Sequence, residues 1–439
     1  MPDNGTKQRP VRTLTVKNFS VIKKAKLEFG KITVLIGPQA SGKSLLCKLA
    51  YFLVGEIPGI AVESLLDRNS WTDFLQAVGR EFGERFLTTG WIRTTTEATY
   101  SSQQYSVAVR GTGDPVNPEI TFSFSADFEN LYRLIRSNPA KQLPTASRSR
   151  NELRQDLFVE ISLLQDRKCT QSNTYIPSGR AFFTEASKSI VALQNPDMDQ
   201  LTRRFAGLIA WDPRWKAGYL TTGRKVIQEV EQEMYRIAGG TVVVVGGKPH
   251  FLSPDGRNLP FSAVSSGTLE LLPMFNALDQ LACFQEDIYA RSATTKRSPI
   301  ADVSDHSPRI YLEEPEAHIF PKTQYELVKL FSQLANDPIL SFDWVIDTHS
   351  PYILSSFNNL IYAGQLGQDE RFKKKIKIDE RFWVEPGTFK AYSIHDGKLE
   401  PILSDSGLIN GEYLDSVSET ISNEFDEMLR LDYGKKKAS

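Results

Sequence analysis

The segment Gly37-Pro38-Gln39-Ala40-Ser41-Gly42-Lys43-Ser44 has the residue types and spacing of a phosphate cradle, G-x-x-x-x-G-K-[ST]. Its two glycines let the backbone wrap so that successive N–H groups point inward at an anion. A helix starting directly after it would add its positive end to the same place. In such a cradle Lys43 sits on the β- and γ-phosphates of a nucleotide and the Ser44 hydroxyl takes a Mg2+ position. The nucleotide-binding candidates here run from Gly37 through Pro38, Gln39, Ala40, Ser41, Gly42, Lys43 and Ser44 to Leu45.

Three later segments carry matching chemistry. In Tyr311-Leu-Glu-Glu-Pro an apolar strand ends in two carboxylates. Glu313 would hold the metal through water, and Glu314 would orient or deprotonate an attacking water. In Trp344-Val-Ile-Asp-Thr-His-Ser, His349 lies just past a strand end, where an imidazole can touch a γ-phosphate and sense its loss. In Ala263-Val-Ser-Ser-Gly, Ser265, Ser266 and Gly267 open a long apolar helix. Such a start offers N–H groups and hydroxyls to an anion, although serine is also an ordinary N-cap.

These side chains need elements to hold them. "RTLTVKNF" alternates with period two and "KITVLI" is a β-branched run ending at the cradle, so residues 11–36 read as two strands, with a helix over 43–54. "FLTTGWIRTTTEATY", "QQYSVAVRG" and "EITFSFSADF" read as a small antiparallel sheet. The pattern is largely helical from about 126 to 240, interrupted by "TYIPSGRAFF", and "GGTVVVVGGKPHFL" gives two short strands. A helix over 267–290, a polar loop over 291–308, then strand, helix (321–336) and strand imply a parallel sheet. Short strands around "HDGKLEPI" and a helix at 411–430 close the pattern.

The bulk numbers suit a soluble protein with two or three lobes: 439 residues, 24% charged, 40% hydrophobic, formal charge −1. No global field marks a nucleic-acid binder. The local basic runs (Lys23-Lys24-Ala-Lys26, Arg148-Ser-Arg150, Arg203-Arg204, Lys373-Lys374-Lys375) read as solvated faces, and Lys435-Lys436-Lys437 as a frayed end. Cys47, Cys169 and Cys283 are scattered, which implies a reducing compartment and no zinc pair. With no signal-type start and no apolar run near the ~18 residues of a membrane helix, the expectation is a cytoplasmic protein without a membrane partner.

Cradle, Ser-Gly helix start, acidic strand and histidine follow one another in the order of an ABC-type ATPase head, which the chain resembles. Within that group it is similar to the branch holding RecF, SMC-type heads and the OLD-type ATPases of prokaryotic phage defence. "VKNFSVIKKAKLEFGKITVLIGPQASGKS" resembles that branch's opening, which adds Asn18 to the nucleotide-binding candidates. "TYIPSGR" resembles a Pro-Ala-x-Arg element of OLD-like ATPases, and "SSGTLELLP" their signature segment. Gln103, Gln104 and Gln165 are open candidates for the glutamine loop. The resemblance implies an α/β P-loop NTPase with an ABC-type head: a mixed or antiparallel N-terminal sheet, a parallel doubly wound core and a helical insertion. It divides the chain into an N-terminal ATPase lobe (11–125), a mainly helical insertion (126–240) and a C-terminal ATPase lobe (241–430). It also implies ATP and Mg2+ as cofactors, Glu314, His349 and Lys43 as catalytic residues, and Ser44 with Glu313 at the metal. Each site would be shared by two copies, Ser265, Ser266 and Gly267 of one facing the cradle of the other.

No long coiled coil, no D-x-D pair after His349 and no HNH-type histidine cluster is evident, so no nuclease centre is expected in this chain. Stand-alone ATPases of this kind occur in defence systems such as PARIS and Septu. By that analogy the expected partners are a second copy of the chain, a separate TOPRIM- or HNH-type nuclease and a phage-protein trigger. The alternative is a RecF-like repair clamp, with DNA as partner.

Overall fold

A computed structural model describes residues 12–86, 90–113, 118–138, 141, 149–165, 173–186, 199–209, 225–246, 248–294 and 308–411. The helix expected at 411–430, Cys169, Arg148, the terminal lysines and most of the 291–308 loop lie outside them.

The strands are β1 Thr13–Phe19, β2 Ile22–Glu28, β3 Ile32–Ile36, β4 Glu97–Ser101, β5 Ser106–Gly113, β6 Pro118–Phe124, β7 Thr174–Ile176, β8 Thr241–Val245, β9 Lys248–Leu252, β10 Asn258–Pro260, β11 Arg309–Glu313, β12 Asp343–Thr348, β13 Phe389–His395 and β14 Lys398–Pro401. Eleven of them form one sheet in the order β6-β5-β4-β1-β2-β14-β13-β3-β12-β11-β7. β13, β3, β12, β11 and β7 run parallel, and β1, β2, β4, β5 and β6 pair antiparallel. β8, β9 and β10 make a separate antiparallel sheet.

β11 and β12 are buried along their whole length, and β3 over its first four residues, because helices cover both faces of the sheet there. Along β3, β11 and β12 the side chains alternate between two cores. Leu35, Tyr311 and Val345 enter the core that also holds Leu46, Cys47 and Leu49 from the helix Lys43–Tyr51. Val34, Ile310, Leu312, Trp344 and Ile346 enter the other, with residues of the helices Ser266–Thr294, Pro321–Asn336 and Pro351–Leu366. The fold is therefore the doubly wound α/β arrangement expected, with the cradle at the C-terminal end of β3.

Two features depart from the expectations. The C-terminal β13 lies directly against β3, in register Ser393↔Ile36, and β14 reaches β2, so the antiparallel strands and the parallel core are one continuous sheet. The helix expected to stop at 54 also continues: a π-turn, Phe52–Glu56, leads into Ile57–Leu66. Pro58 has no N–H to donate, and the wider i→i+5 turn, closed by Ile57 N–H to Phe52 O, carries the helix past it. The span Lys43–Leu66 is long and apolar enough to cross a membrane, contrary to the sequence expectation. However, 78% of its apolar window is buried inside the fold, as in a core helix. Within the π-turn, buried Glu56 pairs with Arg85 and with Arg204 of the helix Gln200–Ile209. Arg204 is thus a structural tie to the first core rather than part of a free basic face.

Candidate functional site

β3 ends at the cradle, and the turn is built on close backbone packing. A Cβ on Gly37 would stand 2.4 Å from the carbonyl oxygen of Ile394 in β13, and Gly42 sits at φ 103 in contact range of Val21 and Ile22. Only glycine meets both conditions without strain. The Lys43 side chain is folded into the cradle. Its Nζ donates to Gly37 O at 2.8 Å and Pro38 O at 2.9 Å, and lies 3.4 Å from His349 Nδ1. An ammonium has only donors, so Nδ1 is the ring atom placed to accept from it, and Nε2 faces Glu314 Oε1 at 3.9 Å. Burial holds the Lys43 ammonium below its usual pKa, against the pull of Asp347, Glu314 and Glu316. Lys43, His349 and Glu314, the expected catalytic residues, therefore converge.

The expected metal residues, Ser44 and Glu313, each adjoin Asp347. Ser44 Oγ donates to Asp347 Oδ2 at 2.6 Å. Glu313 is 5% exposed, and its carboxylate accepts from the Tyr175 hydroxyl and, at 3.1 Å, from Ser178 N–H. Tyr175 on β7 and Ser178 in the following turn thus hold the Glu313 carboxylate, and Glu313 stands beside Asp347 across the β11–β12 pair. Asp347 is the acid that the reading missed. The signal was present: it lies two residues after Val345, and period-two alternation puts it on the face covered by the helix Lys43–Tyr51. Asp347 Oδ1 and Ser41 Oγ are buried without a hydrogen-bond partner among the described residues. Orphaned oxygens at the mouth of a phosphate cradle fit a hydrated Mg2+ and a polyphosphate, and Ser44 with Asp347 would hold that ion.

Glu316 is a second addition. Its Oε1 accepts from His349 N–H at 2.6 Å, which fixes the histidine backbone beside Lys43, and burial raises its pKa. Among the remaining candidates, Gln39 and Ala40 are exposed at the cradle lip. Asn18 is the last residue but one of β1, at φ 48, its carbonyl accepting from Thr96 Oγ1 at 2.8 Å, and it makes no hydrogen bond to the cradle among the described residues. Gln165 Nε2 is tied to Val54 O at 3.2 Å, while Gln103 and Gln104 are exposed. The Ser265 hydroxyl caps its own helix by accepting from Thr268 N–H at 3.3 Å. Ser265 and Ser266 are exposed, and Gly267 packs against His318 O, where a Cβ would meet the oxygen at 2.7 Å. No recorded bond joins these residues to the cradle of the same chain.

The Asp347 carboxyl is pushed up to about 7 by burial, against the Ser44 hydrogen bond and the Lys43 charge. In the nucleotide-free chain it binds its proton more tightly folded than unfolded, where a carboxyl titrates near ~4. Its contribution to stability is complete below about pH 4 and is lost as pH rises through about 7. The melting temperature is expected to fall more steeply from about pH 5 to about pH 8 in wild type than in Asp347→Asn, whose amide oxygen still accepts the Ser44 bond. Parallel curves would mean that Asp347 is already ionised.

Residues 32–355 match the family described as "AAA domain, putative AbiEii toxin, Type IV TA system". The chain belongs to this family. That span contains the cradle, the Ser-Gly helix start, the acidic strand and His349, and this AAA-domain protein has a P-loop NTPase fold. No curated protein matches it in sequence. Among solved structures it is similar to an SMC head bound to the C-winged helix domain of ScpA (12% identity, TM-score 0.39, covering 89% of this chain and 96% of that one). It is also similar to the SMC head domain from Thermotoga maritima (10%, 0.38, 90% and 100%). A third is an ATP-binding cassette of an ABC transporter in its ADP conformation (10%, 0.31, 91% and 93%).

Proposed function

We propose that this AAA-domain protein hydrolyses ATP at sites pooled between two copies, and that the assembled state governs a separate effector nuclease in anti-phage defence. The observation that carries the pooled site is the separation of its parts. Lys43, Ser44, Asp347, Glu314 and His349 surround the cradle, while Ser265 and Ser266 are exposed with no bond to it. A second copy would bring its Ser265–Gly267 turn to the γ-phosphate, where a helix start stabilises an anion.

In this reading Glu314 accepts a proton from water as the water oxygen bonds to the γ-phosphorus. The bond to the β-phosphate oxygen breaks, and ADP and phosphate leave. Lys43 and His349 hold the transferred group. Mg2+, when bound at Ser44 and Asp347, supplies charge neutralisation on the phosphate oxygens. The family description supports a toxin-linked, defence-type role. In this reading the effector nuclease is a separate chain, and both act in the cytoplasm. The basic runs support the DNA-clamp alternative less, because Arg150 pairs with Asp67, Lys26 with Glu28 and Lys373 with Glu380.

Mass photometry with and without MgATP, alongside steady-state hydrolysis, tests the reading. ATP-dependent assembly is expected, with a rate per chain that rises with protein concentration, and a TOPRIM- or HNH-type nuclease from the neighbouring reading frame is expected to co-purify with the assembly. A monomer with a constant rate per chain would rule the pooled site out.

A further inference from the structure

In the Ile176-Pro177-Ser178-Gly179-Arg180 segment Ser178 holds Glu313, whereas Arg180 has no part in the chemistry above and yet is 1% exposed. Burying a guanidinium is costly unless its donors are used, and a hydrophobic joint would hold two elements together at least as well. Here the recorded bonds run to its own turn and to two other elements. Nη1 donates to Pro177 O at 2.8 Å and to Glu313 O at 2.6 Å, and Nη2 donates to Glu314 O at 2.9 Å. On the other side, Nε donates to Glu270 O at 3.4 Å and lies 3.6 Å from Glu270 Oε2, which also accepts from Arg180 N–H at 3.0 Å. Glu270 is itself buried, one turn into the helix that starts at Ser266. A single side chain therefore joins the helix behind the Ser265–Gly267 turn to the backbone that carries Glu314.

That backbone is under constraint. Glu314 sits at φ 40, a left-handed conformation that is strained for a non-glycine residue. It is held from both sides, its N–H donating to Asp347 O at 2.8 Å and its carbonyl accepting from Arg180. The start of the same helix touches the turn again where Gly267 meets His318 O, with no room for a Cβ. The helix start and the turn that carries Glu314 are thus joined at two places, through Arg180 and through Gly267.

We propose that Arg180 is a positioning residue that couples the two roles of each chain. When the Ser265–Gly267 turn closes on a nucleotide held by the other copy, the Glu270–Arg180 link sets Glu314 for hydrolysis at its own cradle. The link rests on the pooled-site reading and adds to it an order of events: engagement in one site licenses turnover in the other.

Glu270→Gln and Arg180→Lys in the full chain test it. Both break a buried ion pair and are expected to lower the melting temperature, yet to keep ATP-dependent assembly and a KM for MgATP within about twofold at temperatures where the chain is folded, while kcat falls about tenfold or more and the Hill coefficient for ATP drops toward one. A purely structural Arg180 would instead lower assembly and nucleotide affinity in step with kcat, leaving the Hill coefficient of the remaining folded protein unchanged. That pattern in both variants, or full kcat with an unchanged Hill coefficient in Glu270→Gln, overturns the link while wild type still assembles. A wild type that hydrolyses ATP as a monomer overturns the pooled-site reading, and the link with it.

Discussion

Glutamine in place of Glu314 is expected to leave MgATP bound, to cut turnover by about 10²–10⁴-fold and to trap the assembly. The carboxylate is 38% exposed, whereas its neighbour Glu313 is buried and already accepts from Tyr175 and Ser178. Glu314 is therefore the acid of the pair that water can reach. An amide of the same shape still fits beside His349 Nε2, so binding persists, but it cannot take the proton of the attacking water. If hydrolysis is what releases the two copies, the variant should stay assembled in ATP for as long as the nucleotide remains intact. Single-turnover hydrolysis and native mass spectrometry measure the two effects separately. Glu313→Gln is the control. Its amide would face the Tyr175 and Ser178 donors at a cost of about 1–3 kcal/mol, so it should lower stability without trapping. Hydrolysis by Glu314→Gln at the wild-type rate would remove the proton acceptor from Glu314.

What the sequence displayed of this site, and what it hid, divide along a physical line. Cradle, acidic strand and histidine are local patterns: a glycine turn, a strand end, a loop after a strand, each legible from a few consecutive residues. The partners of those residues are set by pairing across the sheet. Glu313 and Asp347 stand side by side because β11 and β12 are parallel in that register, and nothing local to Leu-Glu-Glu-Pro shows which of the two faces Ser44. Alternation along β12 could have decided it, had it been carried one residue past Ile346. The position of β13 against β3 was out of reach, since it depends on a segment more than 300 residues away in the chain. The length of the first helix was misjudged for a different reason. Pro58 and Gly59 are local stop signals, and burial of both sides of the helix, with a π-turn to accommodate the proline, overrides them. Arg180 lay in a segment noted for its resemblance, but its partners Glu270, Glu313 and Glu314 are brought to it only by the fold.

Lys43→Ala should separate nucleotide binding from folding in the opposite sense to Glu314→Gln. In the nucleotide-free chain Lys43 Nζ is shared between the carbonyls of Gly37 and Pro38, and burial disfavours its charge. Alanine removes a desolvated cation and leaves two carbonyls at the rim of an open turn, so the melting temperature without ligand is expected to stay near wild type. With ligand the loss is large. Two charge-assisted hydrogen bonds to the β- and γ-phosphates at about 1.5–3 kcal/mol each correspond to a fall in MgATP affinity of about 10²–10⁴-fold. The rise in melting temperature that MgATP produces in wild type and in Glu314→Gln should therefore vanish in Lys43→Ala, since that rise follows the occupancy of the folded state. A MgATP shift of wild-type size in Lys43→Ala would show that the Gly37–Ser44 turn is not where the phosphates bind. The same variant probes the partnership between copies. Its Ser265–Gly267 turn is intact, so a tagged Lys43→Ala chain should still be captured by Glu314→Gln chains in ATP, each such pair holding one nucleotide. Adding Ser266→Arg to the tagged chain places a bulky cation where the neighbouring phosphate would meet the helix start, and capture should then fail.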